Sequence, residues 1–333
     1  MNVQKAIIVI LVVLVSGCID GTQTSSDTFG QGLVGTNEGI IFTMSELPPA
    51  IGANQAFDLE VSATNAGSYS TNSENILVSL SSFKSFNFSL NEDYYQKKVE
   101  GRENSLTNNN ILLKAFDADV VGATSLFLFE NMSYKTTSAN DIQVPLTIDT
   151  CYYYSSLASV NVCVAKNTAS DICSSSEIKQ VINQGAPVKV SGFEQIGSIL
   201  TGSADTGQGE ITSNIRIDVS TNGKGKFESY SIGDASNLLS CTYPSDGVRL
   251  NTVRLRSMRV GSQELITGNE ITNICGSDLI NIDAEGKGSI TCRSVPLYGQ
   301  YSARIGDFEE RMTITLDYLN SDTITKNLKV LAN

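Results

Sequence analysis

The 333-residue chain contains no histidine. That absence removes every Ser-His-Asp and Cys-His catalytic arrangement and the imidazole proton shuttle near neutral pH. It also removes His-containing zinc and copper sites. An enzyme would be left with a carboxylate pair, a Ser-Lys dyad or an all-oxygen metal site. No GxSxG, Walker loop or Ser-x-x-Lys stands in a supporting context. The chain therefore reads as non-enzymatic, with no catalytic residue, cofactor site or metal site to assign. Basic residues are also few, 23 Lys and Arg against 35 Asp and Glu, for a formal charge of −12. Without a basic stripe to displace counterions from phosphates, nucleic acid is excluded as a partner, and so is electrostatic adhesion to an anionic bilayer. Proline is scarce, long Ala/Leu/Glu/Lys stretches are missing, and Ser, Thr, Asn and Gly abound. This composition fits a strand-built extracytoplasmic protein long enough for two domains with real cores.

One apolar run stands out, Ala6 to Val15, directly after Lys5. It falls well short of the roughly 20 residues that span a bilayer. A basic start, a short hydrophobic stretch and small residues before a cut make a secretory signal. The residues Leu14-Val15-Ser16-Gly17-Cys18 resemble the lipobox of prokaryotic lipoproteins. The resemblance implies that the Cys18 thiol carries a diacylglyceryl group and that the mature chain begins there, tethered to a membrane. Two alternatives stand beside it. An ordinary cleaved signal would release the chain. The stretch Lys5-Ala6-Ile7-Ile8 looks like the processing site of archaeal type IV pilin precursors, which would keep the apolar run as an assembly helix of a filament subunit.

Beyond Cys18 the chain is rich in Gly, Ser, Thr and Asp up to Gly39, too polar to offset its entropy by burial, and reads as a flexible tether. Two strand-rich regions follow, separated by a weak stretch from Asn167 to Pro187. They look like copies of one another. Phe57-Asp58-Leu59-Glu60-Val61-Ser62, then Asn65-Ala66-Gly67, matches Ile215-Arg216-Ile217-Asp218-Val219-Ser220, then Asn222-Gly223. Both segments alternate with period two and reach an Asn/Gly turn. Leu146-Thr147-Ile148 through Val164 aligns without gaps on Met312-Thr313-Ile314 through Val330. Each is expected to be a strand, a short turn near Ser155 or Ser321, and a returning strand. Further strands are expected at Ile76 to Leu80, Ser125 to Phe129, Ser229 to Ile232, Gly247 to Val260 and Ser289 to Cys292.

The Asn-x-Gly turn resembles archaeal and bacterial surface proteins built from immunoglobulin-like, CARDB-type domains. Cys151-Tyr152-Tyr153-Tyr154 through Asn161-Val162-Cys163-Val164, then Gln184-Gly185-Ala186-Pro187-Val188, is similar to archaeal envelope proteins of that architecture. The resemblance covers most of Gly39 to Asn333 and implies extracellular scaffolding or binding, with no catalytic residues to carry over. The expected whole is all-β, two tandem immunoglobulin-like β-sandwiches: signal peptide 1–17, tether 18–38, first sandwich 39–166, linker 167–187 and second sandwich 188–333.

Apart from Cys18, six cysteines remain: Cys151, Cys163, Cys173, Cys241, Cys275 and Cys292. An even number in an exported chain reads as disulfides. They fall three to a cluster, so complete pairing needs at least one bridge between clusters. Cys151 and Cys163 are placed on the solvent-facing parity of their hairpin, where only direct register would join them. Otherwise Cys163 reaches Cys173. Asn87-Phe88-Ser89 and Asn131-Met132-Ser133 are glycosylation sequons at Asn87 and Asn131. Asp283-Ala284-Glu285-Gly286 and Asp117-Ala118-Asp119 offer oxygens but lack EF-hand spacing, and read as solvated turns. Tyr152-Tyr153-Tyr154 is a candidate sugar- or protein-binding patch, with alternation exposing either Tyr153 or the outer two.

The expected role is a lipid-anchored protein on the outer face of the cell membrane, serving adhesion, envelope organisation or ligand capture. Its partners would be the membrane, through the lipid on Cys18, and an envelope protein or glycan bound through loops or sheet edges. The pilin-type subunit is one alternative. A hydrolase of envelope polymers is another, and it requires two acidic side chains across a cleft about 5–10 Å apart.

Overall fold

The computed structural model describes residues 37–72, 76–80, 88–89, 96–98, 111–112, 122–135, 137–166, 170–202, 209–222, 226–229, 249–263, 266–301 and 306–332. The signal segment, most of the tether, and the expected sites at Cys18, Asn87, Asp117, Asp119 and Cys241 lie outside these residues. The first repeat supplies β1 (Ile40–Met44), β2 (Ala56–Asn65), β3 (Thr71–Asn72), β4 (Ile76–Leu80), β5 (Phe88–Ser89), β6 (Gln96–Lys98), β7 (Ile111–Leu112), β8 (Thr124–Tyr134) and β9 (Ile142–Val164). The segment expected as a linker forms β10 (Ser176–Lys179) and β11 (Val181–Asn183). The second repeat supplies β12 (Val188–Thr201), β13 (Gly209–Thr221), β14 (Lys226–Ser229), β15 (Arg249–Leu250), β16 (Thr252–Val260), β17 (Ile266–Thr267), α1 (Asn269–Cys275), β18 (Leu279–Asn281), β19 (Lys287–Tyr301) and β20 (Phe308–Val330). The protein is all-β, as its alternating apolar residues require.

Two outer sheets, β1-β2-β8-β5 and β10-β12-β13-β19, face one large sheet that runs β15-β14-β20-β9-β4-β6, with β11 on β9 and β16 on β20. The matched segments Phe57–Ser62 and Ile215–Ser220 fall in β2 and β13. These occupy equivalent places, β2 between β1 and β8, β13 between β12 and β19. The expected turns near Ser155 and Ser321 are absent. β9 and β20 are each one unbroken strand of 23 residues, paired antiparallel from Ile142↔Val330 to Val164↔Phe308. Through both points each strand is held in register by the other without a break, so the alternation continues and no turn forms.

The consequence is an exchange. Residues 142–152 of β9, with β4 and β6, belong to lobe 1, under the β1-β2-β8-β5 sheet. Residues 155–164 of β9 cross into lobe 2, where they pair with β11 under the β10-β12-β13-β19 sheet. β20 does the reverse: its first half pairs with β16 in lobe 2, and residues 321–330 cross back into lobe 1. Every β9 position lies 166 residues before its β20 counterpart (308 − 142 and 330 − 164), and Tyr153 pairs with Leu319 at that same offset. An approximate twofold axis therefore passes through the Tyr153–Leu319 pair. Even-numbered side chains of both strands point into one apolar core that is continuous through both lobes, including Leu146, Ile148, Val160, Val162, Ile314 and Leu328.

Candidate functional site

The waist between the lobes is built by Tyr152, Tyr154 and Tyr318. Period-two alternation sends all three inward, where each ring is fully or almost fully buried. The Tyr152 hydroxyl donates to the Glu38 carbonyl at 3.3 Å and accepts from Asn320 Nδ2 at 2.8 Å. The Tyr154 hydroxyl accepts from the Tyr69 amide at 3.1 Å and donates to Asn65 Oδ1 at 3.3 Å. Tyr318 shares a 2.9 Å hydrogen bond with Ser156 and accepts from the Val188 amide. The three phenols thus tie together the start of β1, the Asn65-Ala66-Gly67 turn and the start of β12. Burial pushes all three hydroxyls well above the usual tyrosine range, so they stay neutral donors.

Close approach makes this possible at two glycines. A side chain on Gly67 would overlap the Tyr154 hydroxyl and crowd the Gly185 carbonyl. Gly39, at φ 67°, sits against Pro187 and the Tyr152 hydroxyl. The second Asn turn converges here too, with Asn222 Nδ2 donating to the Asn37 carbonyl at 2.9 Å.

The tyrosine triplet is not an exposed patch, which corrects the alternation argument. Tyr153 does face the other side of the sheet, but it lies buried there beneath Tyr69, beside Cys151 and Leu319. Arg256 donates to its hydroxyl at 3.4 Å and also pairs with the buried Asp317 carboxylate, 3.5 Å away. Burial raises the Tyr69 hydroxyl as well, and the neighbouring Asp317 charge adds to it.

Cys163 is disulfide-bonded to Cys173, and Cys275 to Cys292. Cys151 is also in a disulfide, whose partner lies outside the described residues. The expectation that Cys151 and Cys163 face solvent in a hairpin fails. Both are buried, because the outer face of the large sheet is covered at each point. The buried Gln195 side chain clamps Cys163, accepting from its amide and donating to its carbonyl, each at 2.8 Å.

Asn131 is exposed on a bulge of β8 at φ 56°, with its amide held by Asp58 Oδ1 at 2.8 Å. Asp283 spends one carboxylate oxygen on the amides of Glu285 and Lys287, which makes it the organiser of a tight turn. Among the described residues no group of three or more carboxylate or cysteine side chains converges to hold a metal ion.

Surface recesses lie on lobe 2. One of about 350 Å³ is bordered by Asn161, Lys179, Ile182, Glu309 and Arg311, between β9, β20 and the β10–β11 excursion. Another, of about 380 Å³, is lined by Glu210, Glu270, Ile266, Ile274 and Pro296. The latter holds two carboxylates, both exposed. Sequence reasoning missed both recesses, since neither has a local motif. Their walls come from strands brought together only by the exchange or by α1. Among the described residues no helix is long and apolar enough to cross a membrane.

No family model matches the chain, and no curated protein does. Among solved structures, the crystal structure of collagen adhesin from S. aureus aligns over 89% of this chain and 94% of that one, at 12% identity and a TM-score of 0.13.

Proposed function

We propose that the chain is an exported surface protein of archaeal, CARDB-like type. In this reading residues 1–17 are removed, Cys18 carries the lipid and residues 18–38 act as a tether. The protein serves adhesion, envelope organisation or ligand capture without enzymatic chemistry. The observation that supports this best is the state of the cysteines: every described one is in a disulfide. Such bonds persist outside the reducing cytosol. The recess beside β10–β11, mixed in charge and edged by exposed Ile178 and Ile182, is the surface assigned to a protein or glycan partner.

Mass spectrometry of the native N-terminus tests the anchor. A mature chain beginning at a diacylated Cys18 supports it, and radiolabelled lipid incorporation should disappear in Cys18→Ser. A product beginning at Ile7 would establish the pilin-type subunit instead, and a free, unlipidated product the secreted form. The hydrolase alternative has one observation in its favour, Glu210 and Glu270 on one recess. Unchanged turnover of envelope polymers by Glu210→Gln with Glu270→Gln would dispose of it.

A further inference from the structure

We infer that residues 321–330 form an exchangeable strand, so that lobe 1 of one molecule is a binding site for the same segment of a second copy of this chain. The two crossing half-strands occupy equivalent positions about the waist, but they are held very differently. In residues 155–164, seven of ten are buried, the outer edge pairs with β11, and the end is fixed by the Cys163–Cys173 disulfide and the Gln195 clamp. In residues 321–330 only Leu328 and Val330 are buried. Among the described residues no strand pairs with the far edge of 322–329, and Ile51 makes a single bridge at Val330.

Besides the β9 ladder, 321–330 is held by Leu328 and Val330 in the core, by the backbone hydrogen bonds of Ile51 to Lys329 and Leu331, and by contacts at the rim. Lys326 Nζ donates to the carbonyls of Met44 and Ser45, and Lys329 pairs with Asp141 at 2.8 Å. Contacts of this kind re-form with any identical chain. Because the register is set by β9 and not by the connection, a 321–330 segment arriving from another molecule finds the same partners. Reciprocal exchange between two copies gives a closed, symmetric dimer. The exchange opens at Ser321, beside the Asn320–Tyr152 hydrogen bond, and leaves lobe 2 untouched. The exchange uses nothing upstream of residue 37, so it does not depend on whether Cys18 is lipidated.

Thr147 and Thr325 are register partners whose hydroxyls lie 3.2 Å apart, which suits a disulfide across the ladder. Folded Thr147→Cys protein is mixed with differently tagged folded Thr325→Cys protein, then oxidised and run without reductant. The double variant in one chain, closing its bridge internally, certifies folding and geometry. A mixture of Ser159→Cys and Thr325→Cys, whose positions lie in different lobes, measures chance collision. Exchange predicts a covalent heterodimer about tenfold above that mixture, growing as incubation allows local opening. Heterodimer no higher than the collision level after prolonged incubation overturns the inference.

Discussion

The two lobes are completed in the same way and secured in different ways. Lobe 2 receives its borrowed half-strand as an inner strand, flanked by β11 and β20 and closed by a disulfide. Lobe 1 receives its borrowed half-strand at an edge, with lysines at the rim and little side-chain burial. The internal repeat therefore fixes topology without fixing local stability. Stability follows what each neighbouring sheet supplies: a second edge, a clamp or a covalent bond. Opening by local fluctuation is expected to be cheap in 321–330 and to approach the global cost in 155–164.

The largest break should come at the waist, where both lobes lean on one contact. Gly67→Val forces a side chain into the Tyr154 hydroxyl and should cost about 4 kcal/mol or prevent folding. Urea unfolding would show a single lowered midpoint, not the loss of one lobe. Removing the latch with Cys163→Ser and Cys173→Ser should cost about 3 kcal/mol in the loop-entropy account. It should also bring amide exchange of 156–164 closer to that of 322–328, read by hydrogen-exchange mass spectrometry.

Leu328→Ala should cost about 2 kcal/mol, at the low end for a buried leucine because an edge strand can settle around the gap. Its exchange effect should stay within 321–330 and residues 142–151. Smallest is an acid effect. The Lys329 ammonium and then the Ala332 amide hold the Asp141 carboxyl below the usual aspartate range. The contribution is complete above about pH 4 and is lost as pH falls through the lowered folded value. Amides of 322–331 should thus open sooner toward pH 2 in the parent chain, and Asp141→Asn should flatten that dependence.

Period two made the all-β class and the β2/β13 equivalence readable from Phe57–Ser62 and Ile215–Ser220. The gapless match of 146–164 to 312–330 held the key to the architecture, and was divided at Ser155 and Ser321 into hairpins. The unbroken alternation through Tyr152, Tyr154, Ser156 and Ala158, with no glycine, asparagine or proline among them, was the signal for one long strand. Crossing between lobes was not readable, because a strand has the same pattern whichever sheet faces it. Nor was the burial of Tyr153. Alternation sets the face to which a side chain points, while Tyr69, which covers that face, arrives from a separate segment.

The first described residues lie at the waist, where Asn222 and Tyr152 grip the carbonyls of Asn37 and Glu38. Whatever pulls on the chain from upstream takes hold of the molecule by its middle. Tension arriving there loads those two hydrogen bonds first and then β1, an edge strand whose partner among the described residues is β2, from Ile40 onward.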